Sequence, residues 1–194
     1  MYLEEFKRIM TSDKNVMAIL RAIAPLNMPN WYVGASFVPQ TVWNYLGGHP
    51  PFSRIKDLDI VYYDKSDLTS KTEREFANKS KKALKEFPIE VDVVNEARVH
   101  IWYEREFGKK IPAYTSCENA IDNWPTTASA IGINLLENGD LNVYAPFGLK
   151  DLMNRIVRPN KRQVSREVYE EKSSRWKRNL PELTVIKWLI NPHA

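Results

Sequence analysis

The chain has 194 residues, 43% hydrophobic and 27% charged, with a formal net charge of +4. This composition predicts one globular domain over residues 1–194 and excludes a large multidomain protein and a disordered chain. The single cysteine, Cys117, excludes an intramolecular disulfide, and His49, His100 and His193 lack the spacing of zinc ligands. The sequence has no apolar signal core and no stretch of membrane-spanning length, so we expect a cytoplasmic protein without a membrane partner.

Hydrophobic periodicity predicts helices and a strand in the first 47 residues. Apolar residues at helical spacing predict helices over 2–10 and 13–24, the second with Ser12 as its N-cap. The segment WYVGAS predicts a strand that runs into a turn of small residues. FVPQTVWNYLGG predicts the helix that follows this turn, ended by Gly47.

Two strands and two helices are predicted between residues 55 and 108. IKDLDIVYYD has the β-branched and aromatic content of a strand. A capping box of Ser70 and Glu73 predicts the start of a helix that extends to Phe87. IEVDVVN alternates like a strand with one polar face, and EARVHIWYEREF predicts a helix closed by Gly108.

The remaining residues, 111–194, combine short elements with a strongly basic segment. We expect short helices around SCENAIDNW and GLKDLMN, and a hairpin of ASAIGINLL and LNVYAPF that turns at Asn138-Gly139. Residues 155–178 have a net charge of +6, which leaves −2 for the rest of the chain. This basic segment predicts either a solvated amphipathic helix or a surface for RNA, DNA or an acidic partner.

Two carboxylates of the IKDLDIVYYD strand point to the same face. Alternation places Asp57 and Asp59 on one side of the strand, with Cα atoms about 6.6 Å apart. At an effective dielectric constant near 20, two unit charges at that separation repel by roughly 2.5 kcal/mol. A bound Mg²⁺ or Mn²⁺ ion would relieve this repulsion, because hard cations take oxygen ligands. The alternative is a solvated edge strand without a metal.

A third carboxylate, Asp92, lies on the polar face of the next predicted strand. If the two strands are neighbours, Asp57, Asp59 and Asp92 converge, and three carboxylates on adjacent strands suit two-metal catalysis with Asp92 taking the proton of the nucleophile. The alternative for Asp92 is an exposed residue paired with a lysine.

The turn Gly34-Ala35-Ser36 and Arg98 are candidates for nucleotide binding. Free N–H groups at the entry of a helix favour a phosphate, although small residues in such a turn also serve close packing. Arg98 is either a phosphate ligand or half of a structural ion pair. Neither a P-loop nor a dinucleotide-binding glycine fingerprint is present.

These motifs resemble those of the polymerase-β-like nucleotidyltransferases. The blocks NEARVHIWY, NWPTTASAIGI and YAPFGLKDLMNRIVRPN are similar to those of a bacterial nucleotidyltransferase-like family over nearly the whole chain. The resemblance implies an α/β (α+β) fold with a mixed sheet and flanking helices. It also implies Mg²⁺-dependent transfer of a nucleoside monophosphate from an NTP such as ATP. By motif, Asp57 and Asp59 are the metal ligands and residues 34–36 are the phosphate turn.

The chain departs from the resembled pattern at the turn and after it. Ala35 stands where glycine is expected, Pro39-Gln40 replaces an Arg-Asn pair, and Glu96 replaces a glutamine. We expect a nucleotidyltransferase whose core is residues 1–110 and whose part 111–194 binds the acceptor, which is a small molecule, RNA or protein. The departures leave two alternatives: an inactive nucleotide-binding or protein-interaction module of the same fold, or a nucleic-acid-binding protein that uses the basic segment.

Overall fold

The structure is a computed structural model that describes residues 1–189. His193 lies outside these residues. The α-helices are α1 (Tyr2–Ser12), α2 (Lys14–Ile23), α3 (Phe37–Leu46), α4 (Ser70–Ala83), α5 (Val99–Phe107), α6 (Cys117–Ile121), α7 (Lys150–Met153) and α8 (Arg166–Asn179). None of the helices within 1–189 is both long enough and apolar enough to span a bilayer.

Five strands form one mixed sheet, and two short strands form a second. The strands are β1 (Tyr32–Gly34), β2 (Asp57–Tyr62), β3 (Glu90–Asn95), β4 (Gly132–Leu135), β5 (Leu141–Tyr144), β6 (Ile156–Val157) and β7 (Thr184–Val185). The large sheet has the order β3-β2-β1-β4-β5. Only the β2–β3 pair in it is parallel, with α4 as the crossover, while β1–β2, β1–β4 and β4–β5 are antiparallel. The predicted mixed sheet with flanking helices is confirmed.

Local sequence explains most element boundaries, with corrections in α2 and α4. The end of α4 is at Ala83, whereas the predicted end is Phe87. Asp13, not Ser12, is the N-cap of α2, and its carboxylate accepts hydrogen bonds from the backbone N–H groups of Asn15 and Val16. The capping box at the start of α4 is absent, because Thr69 is the N-cap and makes no side-chain cap bond. Glu73 instead accepts from the backbone N–H of Asn95, which joins α4 to the end of β3.

Alternating burial divides the sheet into an apolar face and a polar face. On β2, Leu58 and Ile60 are fully buried, and on β3 Val91 and Val93 are buried beside them. These residues belong to a main core that also takes in side chains of α1, α2, α3, α7 and α8. The opposite face therefore carries the polar residues of β2 and β3, and this face positions the candidate site.

Candidate active site

One residue from each of three adjacent strands forms a row across the polar face of the sheet. Asp59 of β2 is in register with Gly34 of the antiparallel strand β1 and with Asp92 of the parallel strand β3. Asp57 lies two residues before Asp59 and shares its face. The strand pairing thus brings the end of the Gly34-Ala35-Ser36 turn, the Asp57/Asp59 pair and Asp92 to one part of the sheet.

Lys172 of α8 supplies a positive charge to the Asp57/Asp59 pair. Burial raises the pKa of Asp59, the Asp57 and Asp92 charges raise it further, and Lys172 and the Ser36 backbone amide oppose the rise. Burial lowers the pKa of Lys172, and the charges of Asp59 and Asp57 oppose that change. A lysine more than 110 positions further along the chain thus offsets part of the repulsion between the two carboxylates.

Aromatic packing fixes the position of Lys172. The rings of Trp43 on α3 and Trp176 on α8 meet edge to face with centroids 5.1 Å apart, and both side chains are buried. The Tyr169 hydroxyl donates a hydrogen bond to the Val157 carbonyl, 3.0 Å away, and this bond joins the first half of α8 to β6. Lys172 lies one helical turn before Trp176, and its ammonium is 4.9 Å from the centroid of that ring.

The predicted phosphate turn is tightly packed. Ala35 has a φ of 50°, a left-handed conformation that costs an alanine roughly 1–2 kcal/mol. A Cβ at Gly34 would lie 2.5 Å from two ring carbons of Trp124, so only glycine permits this indole to pack against β1. Ser36, the N-cap of α3, is buried.

A first cavity, which we call the basic cavity, lies beside Asp57 and has a volume of about 250 Å³. Its walls carry one acid and four basic side chains from three parts of the chain. The residues that line it are Gln40, Arg54, Lys56, Asp57, Arg175, Trp176, Arg178 and Asn179. The excess of positive charge next to Asp57 favours a polyanionic occupant. No local sequence pattern indicates that Arg54 belongs to this site, whereas the clustered charge of the basic segment 155–178 is a signal for Arg175 and Arg178.

A second cavity, which we call the aromatic cavity, lies beside Asp59 and has a volume of about 230 Å³. Its walls include Ala35 of the turn and Val168 of α8. Five aromatic rings also line it, from Trp102, Tyr103, Phe107, Tyr114 and Trp124. Trp43 is a fully buried core residue, whereas Trp102 and Trp124 line this cavity.

Glu96 is an acid on the wall of the aromatic cavity that sequence analysis did not assign to the site. It is only 5% exposed and directly follows β3. Burial, with the negative charges of Asp59 and Glu73, raises the pKa of Glu96 to about 8. The signal available in the sequence was its position in the NEARVH block, where the resembled family has a glutamine.

The donor set of the carboxylate face suits a hard divalent cation. No three His, Cys, Asp or Glu side chains within residues 1–189 form a group that could hold a metal ion. Mg²⁺ does not require a full set of protein ligands, because one or two carboxylates and the phosphates of a substrate usually bind it. Asp57 and Asp59 are such a pair, next to a cavity suited to phosphates.

Arg98 lies in a structural contact. Its guanidinium pairs with Glu73 and donates through Nε to the Leu68 carbonyl at 2.9 Å. It lines neither the aromatic nor the basic cavity. The ion-pair interpretation of Arg98 therefore describes the structure, and contact with a nucleotide stays a prediction.

The mixed sheet, the strand-turn-helix from β1 to α3 and the acidic row on β2 and β3 together define the nucleotidyltransferase class. A family model described as nucleotidyltransferase matches residues 21–185, and the chain belongs to this family. A solved NMR structure described as a CCA-adding enzyme head domain has 25% identity and a TM-score of 0.77, with 95% of each chain covered. A second similar structure is the Thermotoga maritima CCA-adding enzyme complexed with tRNA.

That second structure shares the fold alone, with 16% identity and a TM-score of 0.50. The match covers 95% of the present chain but only 42% of the Thermotoga chain. No curated protein sequence matches the chain. Family and fold together make the chain a nucleotidyltransferase, and they leave its acceptor open.

Proposed function

We propose that the chain transfers a nucleoside monophosphate from a Mg²⁺-bound NTP to a small-molecule acceptor. One observation carries the proposal: Asp57 lies on the wall of the basic cavity, and Asp59, two residues away on the same strand, lies on the wall of the aromatic cavity. In this arrangement the triphosphate lies among Arg54, Lys56 and Arg175, and the acceptor enters from the side of the aromatic rings.

The reaction needs positioning and charge neutralisation more than covalent catalysis. A hydroxyl oxygen of the acceptor bonds to the α-phosphorus, the bond from that phosphorus to the bridging oxygen of the β-phosphate breaks, and pyrophosphate leaves. Asp57 and Asp59 would hold Mg²⁺, which neutralises phosphate charge when bound. Asp92, which is exposed and in register with Asp59, would accept the proton of the hydroxyl.

The size of the aromatic cavity favours a small acceptor over a macromolecule. Its volume of about 230 Å³ suits a compact organic molecule. Part of the basic segment faces inward, because Lys172 lies at the carboxylates and Arg175 and Arg178 line the basic cavity. Fewer cations are therefore left for a nucleic-acid surface. The single cysteine, which is buried and free, accords with action in the reducing cytoplasm.

One observation favours a second candidate, an inactive nucleotide-binding module. Lys172 already supplies positive charge to Asp57 and Asp59, and an internal cation of this kind would make a metal unnecessary. Such a module would bind an NTP equally well with and without Mg²⁺, whereas the transferase requires the metal.

Calorimetric titration with NTPs, in Mg²⁺ and in excess chelator, tests both candidates. We expect Mg²⁺-dependent binding that Asp57→Asn and Asp59→Asn each weaken at least tenfold. Glu86→Gln, which removes one exposed carboxylate from the turn after α4, is the matched control and should leave binding unchanged. Binding that is equal with and without the metal would favour the inactive module, and no binding at all would contradict both.

A further inference from the structure

The aromatic cavity contains an acidic side chain, Glu96, without a hydrogen-bond or ion-pair partner in the described part of the chain. Glu96 is 5% exposed, and no hydrogen bond or ion pair of its carboxylate exists within residues 1–189. The cavity is otherwise lined mainly by aromatic and aliphatic side chains, with Asn123 and Gln163 as neutral polar groups. A buried carboxyl group without a partner costs free energy that a bound ligand can recover.

The charge around Glu96 identifies the kind of ligand. The titratable groups that face it are Asp59 of β2, Glu73 of α4, Tyr114 of the loop before α6 and Cys117 of α6. None of these is a cation, and the nearby Arg98 is already paired with Glu73. An anionic occupant would therefore be repelled, while a cation would gain both an ion pair and the faces of the surrounding rings.

We propose that the aromatic cavity binds a small organic cation, an ammonium group on an apolar body, with Glu96 as its counter-ion. A dry cavity of about 150 Å³ holds a benzene molecule, so the volume of about 230 Å³ accommodates a ring with a short aminoalkyl chain. Five aromatic side chains surround the apolar body, and Trp and Tyr faces attract the ammonium group. Because Asp59 lines this cavity, we assign the bound cation as the acceptor of the nucleoside monophosphate. This assignment rests on the proposed function.

Binding of phenethylamine tests the site without nucleotide or metal. We expect phenethylamine, which is protonated at pH 8, to bind at least tenfold more tightly than its neutral analogue 2-phenylethanol. Titration calorimetry measures both affinities, and the fluorescence of Trp102 and Trp124 reports occupancy of the cavity. Glu96→Gln should abolish the preference for the amine, because the amide keeps the shape and removes the charge.

Two further variants separate the role of Glu96 from folding and from general electrostatics. Glu118→Gln removes another acid near Tyr32 that does not line the cavity, and it should keep the preference. Val168→Phe fills the cavity from α8 and should lower the affinity for phenethylamine at least tenfold with Glu96 intact. The proposal would be overturned if the amine and the alcohol bound equally, or if the preference for the amine survived in Glu96→Gln. Tighter binding of Mn²⁺ or adenosine at this site would also overturn it.

A labelling assay distinguishes this site from the transfer reaction. Phenethylamine has no hydroxyl, so it should inhibit labelling of a metabolite extract by α-labelled NTP at the concentrations at which it binds. Asp57→Asn should abolish labelling while binding of phenethylamine persists. Amine binding without any labelling would contradict the proposed function and the acceptor assignment but support the cation site. Labelling that phenethylamine does not inhibit would overturn the acceptor assignment.

Discussion

Lys172 of α8 is the basic side chain that acts on Asp59 of β2, and it opposes the rise in the pKa of that carboxyl group that burial causes. The two residues are far apart in sequence and come close enough to interact electrostatically because Trp43 and Trp176 pack α8 against α3. The same face of α8 continues from Val168 at the aromatic cavity to Arg175 at the basic cavity. The C-terminal helix thus contributes to both sides of the carboxylate pair.

Removal of the Lys172 charge should strengthen metal binding. An ammonium group near Asp57 and Asp59 repels a divalent cation, so Lys172→Met should bind Mn²⁺ about three- to tenfold more tightly than the unaltered protein, a change of roughly 0.7–1.4 kcal/mol. Titration calorimetry without nucleotide measures the affinity. Lys82→Met, an exposed position on α4, is the control. Equal affinity in both variants would show that Lys172 does not compete with the metal.

Stability should fall between pH 5 and pH 8 because of Glu96. The pKa of Glu96 is about 8 in the folded protein and near 4.3 in an unfolded chain. Within that interval the folded state holds a proton that the unfolded state has lost. The free energy of unfolding therefore decreases as pH rises, by up to about 1.4 kcal/mol per pH unit.

Denaturant titrations of the unaltered protein and of Glu96→Gln at pH 5, 6, 7 and 8 measure this slope. Glutamine does not titrate, so the variant should lose most of the decrease between pH 5 and pH 8. A slope that is the same in both proteins would mean that Glu96 ionises in the folded state as readily as in the unfolded chain.

The strained turn gives a substitution that should stabilise the protein. Ala35 has a φ of 50°, and glycine adopts this conformation without the steric penalty. After the entropic cost of glycine in the unfolded chain, Ala35→Gly should raise the free energy of unfolding by about 0.5–1 kcal/mol. Ala77→Gly, inside α4, should lower it by about 1 kcal/mol. Chemical denaturation measures both, and destabilisation by Ala35→Gly would contradict the strain argument.

Close packing around Gly34 predicts that a substitution of this glycine destabilises the protein. Any Cβ at this position meets the Trp124 ring and, at 2.8 Å, the Ile131 carbonyl oxygen. Gly34→Ala should therefore destabilise the protein by about 1–3 kcal/mol and shift the tryptophan emission, because the indole has to move. Gly34→Ala combined with Trp124→Ala should cost less than the sum of the two single changes. Additive effects would show that the two residues do not compete for space.

The sequence predicted the elements whose signals are local and missed those that depend on distant packing. The alternation of polar and apolar residues in β2 and β3 predicts that Asp57, Asp59 and Asp92 lie on one face. The strand register, which pairs Asp59 with Asp92, agrees with that expectation. The two-residue strands β6 and β7 were not predicted, because so short a segment has no periodicity.

The same limit applies to the candidate site. The approach of Lys172 to Asp59 and the burial of Glu96 follow from the packing of α8 and of the loop before α6, which no local pattern indicates. The basic segment showed that cations were clustered, but only the tertiary structure shows which of them face the carboxylates.

Under the proposed function, nucleotidyl transfer depends on a metal ion that Asp57 and Asp59 hold. The most direct measurement is the release of pyrophosphate from Mg²⁺-NTP in the presence of a metabolite extract, with Asp57→Asn, Asp59→Asn and Glu86→Gln compared at equal concentration. We predict release that each aspartate variant lowers by at least about 10²-fold, while Glu86→Gln retains the activity of the unaltered protein. Release that persists in both aspartate variants, or that is absent with every NTP and extract, would contradict the account.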